Sequence, residues 1–179
     1  TTPAVRSIVT RFFCNMLAGR VKFTFFDLAA QGQTFAPFMQ FISASPTSRN
    51  IINQGTCTDI ARAENLLEGL ENSVRDINAN IYTKDYSSVI EYNEVSEPNV
   101  LPINIIVVMN YPEQLSDEAI AHIERIVRHS KRCGFHFLFV GSGKSESLSQ
   151  FSISDILNDV QSQSADIISF DKLDPLFCR

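Results

Sequence analysis

The sequence predicts an α/β domain with a mainly parallel central sheet flanked by helices, and three observations carry that expectation. Two apolar runs, Leu101–Asn110 and Phe135–Val140, flank a helical segment from Ser116 to Cys133. That order is a βαβ unit, whose right-handed crossover puts both strands parallel in one buried sheet. A third run, Val21–Asp27 (Val-Lys-Phe-Thr-Phe-Phe-Asp), is apolar, aromatic and of strand length. Amphipathic helical patterns lie between the runs and can cover the sheet.

Taken in order, Thr2 caps a first helix with Pro3 at its first helical position, and Gly19 closes it. Val5, Ile8, Val9, Phe12, Phe13 and Met16 share one face of that helix. The strand Val21–Asp27 follows, delivering Asp27 to its carboxyl end. Gln31 to Arg49 carries loop signals with a short helix around Pro37–Phe41, and Asn50-Ile51-Ile52 is a further short strand. Thr56-x-x-Asp59 resembles a capping box and opens a long helix. Its stripe is Ile60, Ala63, Leu67, Leu70, Val74, Ile77 and Ile81, a core face against the sheet rather than a coiled-coil seam.

Tyr82–Pro98 is a polar excursion with interspersed tyrosines and a short helix. In the helix after it, Ser116 caps the first turn, and Asp117 and Glu118 suit the positive end of the macrodipole. Arg128, Lys131 and Arg132 fall in the expected last turn, with Gly134 as the left-handed stop. Ile120, Ile123, Ile126 and Val127 form its apolar stripe. Residues 144–179 are expected to hold a serine-rich loop, a helix near Ile153–Val160, a last strand Ile167–Phe170 and a tail. No linker divides the chain, so 1–179 is expected to be one domain, part of a longer chain. It opens on a helix where a parallel α/β domain normally opens on a strand, which suggests that a first strand precedes Thr1.

Composition narrows the function. With 179 residues and 44% hydrophobic content the chain can bury a core. A net charge of −5 with 15 scattered Lys and Arg argues against a general phosphate-backbone binder. Cys14, Cys57, Cys133 and Cys178 form no C-x-x-C pair and no metal spacing with His122, His129 or His136, so reduced thiols and no metal site are expected. No apolar stretch reaches the roughly 18 residues of a membrane span, and no signal peptide is evident, so no membrane contact is expected of this stretch.

Candidate chemistry gathers at strand ends, where open α/β sheets hold ligands. Gly141-Ser142-Gly143-Lys144-Ser145 has the end of a phosphate loop, but G-x-x-x-x-G-K-[ST] needs its first glycine where Leu138 stands, so a flexible loop is expected. Asp27 can position a metal-bound water or cap the next turn. Asn110 and Tyr111 end another strand where NTPases keep one acid for Mg2+ and one for the attacking water. An amide and a phenol carry no negative charge at pH 7 and do neither well. His122 and His129 lie two helical turns apart and read as surface imidazoles.

The helix from Pro3, the strand ending in Asp27, the helix from Thr58 to Ile81 and the excursion with Glu91-Tyr92-Asn93 recur in order with Leu101-Pro102, the helix from Glu118 and Gly134-Phe135-His136-Phe137-Leu138-Phe139. Together, over about residues 3–143, they resemble the motor domain of the FtsK/SpoIIIE translocases, hexameric RecA-like ATPases that pump DNA, and their relatives in type VII secretion. The resemblance implies a three-layer RecA-like domain whose first strand and P-loop are absent from this chain. Thr1 or Thr2 would be the remnant of the P-loop's final Ser/Thr. Asp27-Leu28-Ala29 matches the family's Asp-Pro-Lys with the lysine gone, Asn110-Tyr111 takes the place of the Walker B acids, and Gly141-Ser142 that of the Thr-Gln sensor.

The implied protein is a degenerate member acting in assembly or regulation of a DNA-translocating or secretion ATPase. ATP, Mg2+ and DNA would belong to the full-length protein, and no cofactor to this stretch alone. Self-association or association with other RecA-like domains is implied, as is a cytoplasmic place, with membrane tethering only through the full-length chain. Two other readings stay open. One is an active DNA translocase, as in chromosome segregation, with its Walker A loop upstream of Thr1. The other is an unrelated doubly wound small-molecule enzyme using the crevice near Asp27, Asn110 and Ser142.

Overall fold

The computed structural model describes residues 2–15, 19–44, 51–81, 86–96, 99–130 and 132–141. Thr1, Met16, Tyr82, Ser142 and the expected helix and strand of 144–179 lie outside the described residues. The elements run α1 (Thr2–Asn15), β1 (Val21–Phe26), α2 (Ala36–Ala44), β2 (Ile52–Cys57), α3 (Ile60–Ile81), α4 (Val89–Val95), β3 (Ile103–Met109), α5 (Asp117–His129) and β4 (Phe135–Val140). The four strands pair in the order β2-β1-β3-β4, and each pairing is parallel. The expected α/β architecture with a parallel sheet is therefore present.

Alternation along the strands sorts the core into two layers. Val21, Phe23 and Phe25 of β1 and Ile105, Val107 and Met109 of β3 face α1 and α2. Phe26, Ile106 and Val108 face α3 and α5 instead. The first layer is aromatic: the Phe25 ring stacks on Phe35 at 4.2 Å, and Phe13 stacks on Phe23 at 4.5 Å. In the second, Leu67, Leu70 and Val74 of α3 meet Ala119, Ile123 and Ile126 of α5. Each such buried leucine, isoleucine or valine contributes about 1.5–3 kcal/mol of transfer free energy.

Local chemistry sets the element ends, and here the structure corrects several expectations. Thr56 does not open α3; it belongs to β2, and Asp59 caps the helix, its Oδ1 accepting from the Arg62 amide at 3.0 Å. The strand β2 runs to Cys57 rather than ending at Ile52, because Gln54 and Gly55 form a bulge with φ of 57° and 80°. Phe23 pairs with Ile52 and Phe25 with Thr56, so two residues of β1 span four of β2. The polar β2 sequence offered no apolar run to mark it.

The helix α5 ends at His129, four residues short of Cys133. Ser130 caps it, its amide bonded to the Ile126 carbonyl at 2.8 Å, and a turn then buries Cys133. Arg132 lies beyond the helix, its carbonyl accepting from the Val89 amide. Ser116 caps the other end as expected, its hydroxyl accepting from the Ala119 amide. Two stripe residues face out: Phe12 is 38% exposed and Ile60 47%.

His122 is not a free surface imidazole. Three polar links, spaced by seven on α3, tie α3 to α5 running in the same direction: Glu64 to Ser116, Glu71 to His122, and Asn78 to the His129 carbonyl. Glu71 Oε2 lies 2.6 Å from His122 Nδ1 and 3.0 Å from Arg125 Nε, and its Oε1 3.1 Å from Arg75. Burial pushes the Glu71 carboxyl up, but hydrogen bonds from His122 and Arg125 outweigh it and hold the group below its usual 4.5. A carboxyl lowered by folding stabilises the fold above its unfolded value and loses that contribution as pH falls through the folded one. Glu71→Gln is therefore expected to unfold more easily than the parent at pH 7. The gap should close in urea titrations as pH falls below the usual 4.5 and through the lower folded value; a gap independent of pH would show that the carboxylate's charge contributes nothing.

Candidate functional site

The chain passes from β1 to β2 on one side of the sheet, then returns to β3 on the other side of β1. The carboxyl ends of β1 and β3 thus flank the point where strand order reverses, where open α/β sheets bind ligands. Phe26 pairs with Val108 in this register, which puts Asp27 and Asn110 on one rim. The sequence-predicted site residues divide here. Asp27 and Asn110 share the rim, and Gly141 follows β4, two strands from Asp27. Thr2 is the first residue of α1, whereas Thr1 and Ser142 lie outside the described residues.

Asp27 is buried. Its amide donates to the Cys57 carbonyl at 2.9 Å, and its own carbonyl accepts from the Gly32 amide at 3.1 Å. The carboxylate Oδ2 accepts from the Thr34 amide at 3.0 Å, while Oδ1 has no hydrogen-bond partner among the described residues. The turn between β1 and α2 is held from the far side by α1. Arg6 donates from Nε to the Thr34 carbonyl at 2.7 Å and from Nη2 to the Gln33 carbonyl at 2.8 Å. Gly32, at φ 82°, lies close enough that an added Cβ would sit 3.2 Å from Thr58 Cγ2, so the turn rests on the end of β2. Thr56 Oγ1 there is a second buried oxygen without a hydrogen-bond partner among the described residues.

Arg6 and Thr34 were invisible to sequence reasoning. Thr34 meets Asp27 through its amide and Arg6 meets the carbonyls of Thr34 and Gln33, contacts between separate elements that no local spacing announces. The capping reading of Asp27 is realised through the Thr34 amide. Asp27→Ala is expected to cost about 1–3 kcal/mol, the penalty of leaving a buried amide unpaired. Asp27→Asn, which keeps an acceptor for Thr34, should cost less. Urea unfolding of the two variants checks this, and equal losses would remove the capping role.

Asn110 is exposed and takes the left-handed conformation, φ 57°, which asparagine tolerates better than most residues. The next residue turns the other way. Tyr111 is buried against Phe139, ring centroids 4.5 Å apart, in the layer shared with α3 and α5. Burial and the neighbouring Glu124 carboxylate push the phenol's pKa up, so it stays protonated. The rim at β3 accordingly presents a neutral amide outward and a neutral phenol inward. No cluster of three or more His, Cys, Asp or Glu among the described residues could hold a metal ion.

No protein-family model and no curated protein matches the chain. Solved structures do. The monomer form of the pCW3 conjugation coupling protein TcpA with ATPgS superposes with a TM-score of 0.65 at 15% identity, over 89% of this chain and 43% of that one. ATPases 2 and 3 of EssC from Geobacillus thermodenitrificans give 0.64 at 17% identity, over 83% of this chain and 28% of theirs. The cytoplasmic domain of EssC gives the same values. The chain shares the fold of these structures.

The chain spans less than half the length of each of these three. Within this shared fold, Asp27 and Asn110 sit at adjoining strand ends of the switch-point crevice. The expected α/β class and the expected likeness both hold. No helix among the described residues is long and apolar enough to cross a membrane.

Proposed function

We propose that this chain is a catalytically degenerate FtsK/SpoIIIE-like ATPase-fold domain that acts in the assembly or regulation of a secretion-type or DNA-translocating ATPase. The observation that carries this reading is the rim of β3. Asn110 stands outward there with no charge, and Tyr111 is withdrawn into the core. In-line attack on a γ-phosphate needs Mg2+, held in P-loop NTPases by a Walker B carboxylate among others, and a residue that orients the attacking water. Asp27 is an acid at the switch point, and one of its oxygens is occupied by the Thr34 amide. A domain of this kind still offers interfaces to neighbours in a ring, where each subunit completes the next one's site. Its partners are then further RecA-like domains, in the cytoplasm, tethered to the membrane only through other parts of the full-length protein.

The test is direct. The purified chain is expected to release no phosphate from Mg-ATP above the protein-free control and to give no saturable heat in titration calorimetry. Phosphate release that disappears on Asp27→Ala would overturn the proposal. The buried, unpartnered Oδ1 of Asp27 favours a second reading, an active translocase with Walker A upstream of Thr1. A chain extended upstream would then hydrolyse ATP and lose that activity in the Asp27→Asn variant while keeping its unfolding midpoint.

A further inference from the structure

We draw no further inference here: the strongest candidate, the open groove of about 270 Å3 that Lys22, Asp76, Leu101 and Phe135 line at the amino end of the sheet, sets its two opposite charges beside a solvated face of α3, and nothing in the structure shows what covers it.

Discussion

Phe25→Ala is expected to lower the unfolding free energy by about 3–5 kcal/mol, the range for deleting a buried aromatic ring. Phe25 is 0% exposed and sits at the centre of the aromatic layer. Its ring lies 4.2 Å from Phe35, 5.8 Å from Phe23 and 6.2 Å from Phe38. These neighbours come from β1, from α2 and from the turn leading into α2, so no single element can move in to fill the space. A domain's whole stability is about 5–15 kcal/mol, so the variant would stand near the edge of folding at 25 °C. Urea titration followed by far-UV circular dichroism reads the effect as a lower midpoint at unchanged slope. Phe12→Ala, on the outward side of α1, should stay within about 0.5 kcal/mol. A loss below about 1 kcal/mol for Phe25→Ala would mean that α1 and α2 do not cover this face of the sheet. The same layer holds α1, and with it Arg6, over the turn that bears Thr34. Loosening it should therefore also free the Asp27 carboxylate from its cap.

Much of this architecture is written in hydrophobic periodicity. The runs Val21–Phe26 and Ile103–Met109 are buried strands of a parallel sheet, and Phe135–Val140 a half-buried one beside them; such strands show themselves as near-continuous apolar text. The stripe Leu67-Leu70-Val74 and the Ser116 cap were legible for the same reason, since each depends on residues within a few positions. The strand β2 was not. It lies at the sheet edge, its sequence Ile-Asn-Gln-Gly-Thr-Cys is polar, and a bulge breaks its alternation. Thr56 was misplaced because a Thr-x-x-Asp pattern is common outside caps, and only the strand pairing shows that Thr56 belongs to β2, leaving Asp59 to cap the helix that starts at Ile60.

At the candidate site, the sequence located the two strand ends that share the rim. It missed what holds them: Arg6, Thr34 and the opposed directions of Asn110 and Tyr111. Those depend on how α1 and the turn before α2 meet across 28 residues of chain. His122 was likewise read from its own helix alone, while its partner Glu71 lies 51 residues away.

Gly141→Ala and Gly69→Ala should shift stability in opposite directions, although both add one methyl group. At Gly69, within α3, a Cβ meets nothing within 4 Å. Alanine there removes unfolded-state freedom without cost and is expected to stabilise by about 0.5–1 kcal/mol. At Gly141 an added Cβ would lie 2.6 Å from the Tyr111 carbonyl oxygen, closer than real Cβ contacts come. The obstacle is backbone, and it is fixed on both sides. The Tyr111 amide donates to the Val140 carbonyl at 3.0 Å, and Met109 pairs with Val140 in the sheet. Relief requires the ends of β3 and β4 to part, which is expected to cost about 1–3 kcal/mol, the usual range for overpacking. Thermal unfolding of the two variants without nucleotide measures crowding alone, separate from any part Gly141 plays in binding phosphate. A Gly141→Ala variant as stable as the parent would show that β3 and β4 do not close this tightly at the rim. Asn110 would then lose the support that holds it outward, and the argument from its neutral, exposed amide would have to be rebuilt.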